Sequence, residues 1–145
     1  MNHTFLFQPA TWTAKGTFTD ADGNTVPVDG ETTITHEPEV WVNEGYMRLL
    51  DESGLELQNR YEIVPFAEGK DFTSWKSFNP ALGVLIGAFS IVDDSIISIS
   101  ASEDGQYYAC EYLLKIDDGN YRGRGVLFRS GEKLSSWAVD LAKED

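Results

Sequence analysis

Two arginines separated by a single residue are the side chains in this sequence best suited to bind a charged ligand. Arg122 and Arg124 share one face of a predicted strand with apolar residues, so both enter the interior if that face points inward. Paired guanidinium groups offer bidentate hydrogen bonds to a carboxylate or another anion. Buried together they would need a neutralising partner, either Glu111 or the ligand. Alternatively both arginines face solvent and Gly123 and Gly125 form the inner face, and the sequence leaves this choice open.

Four tryptophans lie on four different predicted strands. Indoles that converge from several strands provide large, rigid surfaces on which a flat or apolar ligand can stack. The alternative is that they only fill a core, as inward residues of small barrels do. We predict that Trp12, Trp41 and Trp75 form the wall of a binding site together with Tyr61.

Polar residues on apolar strand faces are the candidate anchors for such a ligand. Asn59 and Tyr61 alternate with Leu57 and Ile63 on one face of a predicted strand. His36 has the parity of the apolar residues of its strand, and imidazole is the commonest metal ligand in proteins. Since no second ligand lies at a recognised spacing, we predict no metal site and expect Asn59, His36 or Arg124 to anchor the ligand.

Catalytic patterns are missing from the sequence. Ser135 and Ser136 lack the glycines of a nucleophile elbow, and Cys110, predicted to be a small buried residue, has no adjacent base. Glycine-rich phosphate loops and Cys-x-x-Cys pairs are also absent, so we assign no catalytic residue, and the sequence leaves the cofactor unknown. A barrel enzyme of the isomerase or cyclase type stays an alternative, because a barrel mouth can gather groups from distant strands.

These side chains must be positioned by β-strands, because Asp-Gly and Ser-Gly turn signals divide the chain at short intervals. The pattern predicts an all-β fold, a single antiparallel meander barrel of about eight to ten strands with little or no helix. It spans residues 1–145 as one domain, with residues 1–8 as a mobile tail. The predicted strands are 11–19, 25–36, 40–50, 55–64, 72–78, 84–92, 95–102, 106–116, 121–129 and 133–141.

Composition excludes two classes of partner. The 145 residues carry 11 Lys and Arg against 24 Asp and Glu, a formal net charge of −13, which disfavours nucleic acid and anionic membrane surfaces. The longest apolar stretch, 81–92, is interrupted by polar and small residues and is too short to span a bilayer. Since the start of the chain lacks a basic segment and a long apolar segment, we expect a cytoplasmic protein.

The early tryptophan of segment 9–16, followed by a continuous meander over residues 11–142, resembles the calycin group of β-barrels. This group includes lipocalin-like, fatty-acid-binding and streptavidin-like proteins. The resemblance implies an internal cavity that holds a small, mostly apolar ligand.

Two functions from different classes follow. The first is the binding of a small apolar or amphipathic ligand inside the barrel. The second is self-association without a ligand, because the strand predicted at 40–50 has apolar residues on both faces, and a two-fold homodimer would cover the outer set.

Overall fold

Ten antiparallel strands form a closed barrel in the computed structural model, which describes residues 2–145. The prediction of an all-β meander barrel of about eight to ten strands is confirmed, and no helix occurs among those residues. The strands are β1 Ala10–Thr19, β2 Thr25–His36, β3 Trp41–Leu49, β4 Glu56–Ile63, β5 Phe72–Asn79, β6 Gly83–Val92, β7 Ser95–Ser102, β8 Tyr107–Asp117, β9 Asn120–Arg129 and β10 Glu132–Lys143.

Every strand pairs with its neighbours in sequence, and β1 also pairs with β10 to close the barrel. Closure leaves no free edge strand that could pair with another chain. The seam between β4 and β5 is much shorter than the others. Its register contains three pairs, from Tyr61 opposite Ser77 to Ile63 opposite Trp75. The first part of β4 is therefore not bonded to β5.

Alternation along the strands separates the interior from the outer surface, as predicted for β1. Trp12 and Ala14 of β1 are buried, whereas Lys15 and Thr17 are exposed. In β7 most of the inward positions carry serine, and large apolar side chains lie outward. Ile96 and the three serines at positions 98, 100 and 102 face inward, while Ile99 is 65% exposed on the outer surface. Small polar residues thus occupy a wall where the barrel would normally place large apolar ones.

The N-terminal segment is packed, in contrast to the predicted mobile tail. Phe5 and Leu6 are buried, and the Tyr121 hydroxyl accepts from the backbone N–H groups of Thr4 (3.1 Å) and Phe5 (3.4 Å) and contacts His3 Nδ1 at 2.8 Å. The segment therefore closes one end of the barrel, which we call the closed end. Met1 lies outside the described residues.

The outer surface has two different halves. On β2 to β4 the outward side chains are largely charged and form ion pairs such as Arg60 with Glu44 at 2.9 Å. On β5 to β8 the outward positions include no carboxylate. We call this second half the outer apolar face. Its most exposed large side chains are Phe72, Phe78, Ile86, Val92, Ile99, Tyr108, Tyr112 and Ile116.

The apolar surface does not lie on the strand that the sequence indicated. In β3 Val42 is buried and Tyr46 is half-buried, with the Arg48 guanidinium 5.7 Å from the Tyr46 ring centroid. Cys110, predicted to be buried, is instead exposed on the outer apolar face, because its strand parity is opposite to that of the inward residues of β8. Among residues 2–145 no helix is long and apolar enough to cross a membrane.

Candidate ligand-binding cavity

The half of the barrel opposite the closed end contains a cavity of about 420 Å³. This volume lies within the range of small-molecule sites, roughly 300–1,000 Å³. Most of its lining is apolar, from Phe18, Met47, Leu85, Phe89, Leu113, Leu127 and Val139 among others. The lining also includes polar residues, among them Asn43, Asn59, Ser98, Ser100 and Glu111, and these bear on the chemistry of the site.

The cavity exists because several inward positions carry small side chains. Ser98 and Ser100 of β7 and Ser135 of β10 are buried and border it, as does Ala109 of β8. In a closely packed interior these positions would hold residues of the size of leucine. The serine wall thus leaves volume that no other side chain fills.

Two tryptophans lie across glycines of the neighbouring strand. A Cβ atom on Gly87 would come within 2.3 Å of the Trp75 ring, and one on Gly125 within 2.2 Å of the Trp137 ring. Any larger residue at either glycine would displace the indole, because real Cβ atoms do not approach other heavy atoms so closely. Each indole is therefore held against the barrel wall and presents its other side to the cavity.

Glu111 of β8 is the ionisable group at the centre of the site. Trp137 Nε1 donates a hydrogen bond to Glu111 Oε2 at 2.5 Å, which reaches over Gly125 from β10 to β8. Burial raises the pKa of the Glu111 carboxyl, and the hydrogen bond from Trp137 offsets only part of this rise. Tyr61 faces the same space, and burial together with the negative charge of Glu111 raises the pKa of its hydroxyl.

Two polar atoms at the cavity wall lack a hydrogen-bond partner within residues 2–145. They are Trp75 Nε1, a donor, and Asn59 Oδ1, an acceptor. By contrast, Asn43, which also lines the cavity, accepts a hydrogen bond from the Thr32 hydroxyl. Buried polar atoms are normally satisfied, and an orphaned atom costs about 1–3 kcal/mol. Trp12 Nε1 is also unpartnered, but packed side chains enclose it away from the cavity.

The cavity lies next to the short seam between β4 and β5. Leu57 and Gln58 of β4 line the cavity beyond the last β4–β5 pair, and Asn79, Ala81 and Leu82 line it from the β5–β6 turn. The missing ladder leaves side chains, rather than hydrogen-bonded backbone, between the interior and solvent. A ligand could enter there without the loss of strand pairing.

Of the nine predicted site residues, four line this cavity: Asn59, Tyr61, Trp75 and Glu111. Trp12 is buried below them against Phe5, with ring centroids 5.4 Å apart, and is not part of the lining. The structure thus gathers one candidate from each of β5 and β8 and two from β4.

His36 and Trp41 lie at the closed end instead. Their rings stack with centroids 4.0 Å apart, and His36 Nε2 donates to the carbonyl oxygen of Leu6 at 2.7 Å. Trp41 also packs edge-on against Phe7. Both side chains therefore fix the N-terminal segment and do not reach the cavity. Among residues 2–145 no group of three or more His, Cys, Asp or Glu could hold a metal ion.

The question left open for Arg122 and Arg124 is decided by the strand parity of β9. Both are exposed on the outer surface, while Gly123 and Gly125 face inward. Arg124 donates to the carbonyl oxygen of Gly123 at 2.8 Å. The anion site proposed for the interior on the basis of these arginines does not form.

Trp137 is the important lining residue that the sequence prediction did not place in the wall. The signal was present, because a strand with glycine at two alternate positions leaves room for large side chains of the next strand. Only the register, Trp137 opposite Gly125, shows which indole uses that room.

Comparison of the sequence with protein-family models and with curated proteins finds no match. Solved structures share the fold. The S-type phycobiliprotein lyase CPES from Guillardia theta matches with a TM-score of 0.72 at 8% identity, over 97% of this chain and 91% of that chain. Rv2717c from M. tuberculosis matches with a TM-score of 0.66 at 12% identity, over 94% and 92%. The barrel EF1p2_mFAP2b bound to DFHBI matches with a TM-score of 0.50 at 10% identity, over 99% and 98%. These likenesses show a common ten-strand barrel and assign no family.

Proposed function

We propose that this protein binds a small, mostly apolar and flat molecule in the cavity between the serine wall and the two indoles. The observation that carries the proposal is an apolar cavity of ligand size with buried polar atoms that have no partner in the protein, Trp75 Nε1 and Asn59 Oδ1. Both atoms are covered by protein in this structure, so a ligand with a complementary polar edge would satisfy them once the two side chains turn toward it. The indoles would stack on its faces.

The structural neighbours support the same general use of the fold. One of them is a phycobiliprotein lyase and another has DFHBI bound, so barrels of this kind accommodate small molecules. Binding also suits the site better than catalysis does. Glu111 and Tyr61 both face the cavity, but among residues 2–145 no hydrogen bond joins them and no ion pair involves either side chain.

Filling the cavity tests this function. We would titrate the protein with Nile red, a neutral planar dye, and follow its emission together with quenching of tryptophan fluorescence. The variant Ser100→Leu places a large side chain in the cavity, and Ala101→Leu is the matched control, because residue 101 is exposed on the opposite face of the same strand.

We expect the wild type and Ala101→Leu to bind the dye with similar affinity and Ser100→Leu to bind it at least about tenfold more weakly, a difference of about 1.4 kcal/mol. Equal binding by Ser100→Leu would place the dye elsewhere and would contradict the proposal. So would a wild-type protein that does not bind the dye.

A second candidate function, self-association, is favoured by the outer apolar face. A chain with a net charge of −13 repels its own copies, except where its surface lacks carboxylates. The outward positions of β5 to β8 are such a surface, with Phe78 70% exposed and Ile99 65% exposed. A second copy packed across a two-fold axis would cover this face on both molecules.

Light scattering coupled to size exclusion tests this second candidate. If it is correct, the wild type is a dimer at micromolar concentration and Ile99→Asp is a monomer. Thr17→Asp, a control on the exposed part of β1, keeps the dimer. A monomeric wild type would exclude it.

A further inference from the structure

The charged residues in the cavity lining are all acidic. Two acidic residues border the cavity, Glu111 and Glu31, and the lining within residues 2–145 includes no Lys, Arg or His. The Glu31 carboxyl is engaged with Glu144, at the C-terminal end of the chain. Glu111 is therefore the charged group that meets a ligand inside the barrel.

The nearest cations are directed elsewhere. Arg122 and Arg124 lie on the outer surface, and Lys115 pairs with Asp118 at 2.8 Å. The two histidines are bonded to backbone carbonyl groups at the closed end. No positive side chain of the described residues can therefore neutralise a negatively charged group in the cavity, and a ligand carboxylate there would face Glu111 without a partner.

Two acceptor groups of the wall can receive a donor from a ligand. Glu111 Oε2 is bonded to Trp137, and the carboxyl has a second oxygen that can accept. Asn59 Oδ1 is a second buried acceptor without a partner. The Tyr61 and Trp75 rings meet edge to face, with centroids 4.8 Å apart, so aromatic faces that attract cations surround the same space.

Together these groups point to a ligand class. We infer that the cavity selects flat, mostly apolar molecules that carry a cationic or N–H-donating nitrogen, such as an amidine, an amine or a protonated heterocycle, and that it rejects carboxylates. The nitrogen would pair with Glu111, and Asn59 would add a second acceptor once its covered amide turns toward the ligand. This inference rests on the proposed function, since it specifies the occupant of the same cavity.

Binding of such a cation should depend on pH. The groups that face Glu111 are the Trp137 indole from β10 and the Tyr61 hydroxyl from β4, with Ser98 opposite it on β7 and Gly125 on β9. None of them is positively charged, and burial raises the pKa of the carboxyl. A cation must therefore displace the proton of Glu111 over the lower part of the pH range, and its affinity should rise with pH until the carboxyl is fully ionised.

Three probes that share one ring system test the selection. Naphthalene carboxamidine is cationic, naphthalene carboxamide is neutral and naphthalene carboxylate is anionic, with nearly the same shape. Their dissociation constants would be measured by tryptophan quenching and calorimetry, with the wild type and with Glu111→Gln. Glu62→Gln is the control, because residue 62 carries its carboxyl on the outer surface of β4.

We expect the wild type to bind the amidine at least about tenfold more tightly than the amide, and the amide more tightly than the carboxylate. Glu111→Gln should reduce amidine affinity by about tenfold or more, leave the amide almost unchanged and remove the pH dependence. Glu62→Gln should behave as the wild type does.

Equal affinity for the three probes, a preference for the carboxylate, or no measurable amidine binding would overturn the inference. The Nile red titration separates this failure from that of the proposed function. If the dye binds to the wild type and not to Ser100→Leu, the cavity is a binding site and only the charge selection is wrong.

Discussion

The two ends of the barrel are built from the same kinds of residue and differ in how these are partnered. At the closed end Trp12 packs edge-on against Phe5 and Tyr121, with ring centroids 5.4 Å and 5.5 Å apart, and is fully buried. In the cavity half Trp75 lies over Gly87 and its other side lines the cavity. The same side chain fills space at one end and borders open space at the other.

Tyrosines show the same contrast. The Tyr121 hydroxyl is bonded to the backbone of Thr4 and Phe5 and to His3. Tyr61, equally aromatic and inward-facing, has no hydrogen bond from its hydroxyl within the part of the chain that the structure describes. The difference shows that the N-terminal segment completes the core at the closed end. The segment supplies both the apolar side chains that fill this end and the backbone groups that bond the Tyr121 hydroxyl.

The largest expected effect separates the two tryptophans. Trp12→Ala should destabilise the fold by about 3–5 kcal/mol, because it empties a closely packed site. Trp75→Ala should cost clearly less, since one side of that indole already faces the cavity. Urea unfolding of both variants measures the difference. Equal losses would show that the two ends are packed alike.

A smaller effect is expected from the paired tyrosine variants. Tyr121→Phe should destabilise the protein by about 1–3 kcal/mol, because it leaves buried backbone N–H groups without their acceptor. It should also speed amide exchange in the N-terminal segment. Tyr61→Phe is the matched control and should change stability little.

The two ends of the barrel would not differ in this way if Tyr61→Phe lowered the free energy of unfolding as much as Tyr121→Phe does. That outcome would mean that the Tyr61 hydroxyl has a structural partner, and that it is not available to a ligand.

The smallest effect concerns pH. The pKa of Glu111 is raised above its ordinary value of 4.5, so the folded protein holds a proton that the unfolded chain has already lost. In this range the free energy of unfolding contributed by Glu111 falls as pH rises. Glu111→Gln should remove this contribution, and the stability of the variant relative to the wild type should therefore increase with pH from about 4.5 upward.

Urea unfolding at several pH values measures this difference. Carboxyls with lowered pKa values, such as those of Asp20 and Asp51 in exposed turns, have the opposite pH dependence but are common to both proteins. A stability difference that stays constant with pH would contradict the burial of the Glu111 carboxyl.

Much of the site could be predicted from local patterns. Period-two alternation placed Asn59 and Tyr61 on the inner face of β4. Trp75 was a candidate because it is a large aromatic residue on a predicted strand, and Glu111 because it could neutralise the two arginines, so alternation located neither of them. It could not decide between the two faces of β9, because both carry apolar residues, Val126 and Phe128 beside the arginines and Tyr121 and Leu127 beside the glycines. Arg122 and Arg124 lie outside since the inner positions must accommodate Trp137 and Leu113.

Residues of the closed end were assigned to the wrong role for a related reason. His36 and Trp41 have the inward parity that the sequence predicts, but parity does not tell which end of the barrel a residue occupies. Their position depends on the N-terminal segment, whose contacts to Tyr121 span more than a hundred residues of sequence. Such long-range contacts leave no periodic signal.

The sequence by itself determined the strands, their order and the acidic, turn-rich surface, because hydrophobic alternation and turn residues act over a few positions. Tertiary structure alone decided that the barrel is plugged at one end and hollow at the other. Closure brings the serines of β7 and the indoles of β5 and β10 to the same cavity, and whether these residues fill the space depends on their summed volumes across strands distant in sequence.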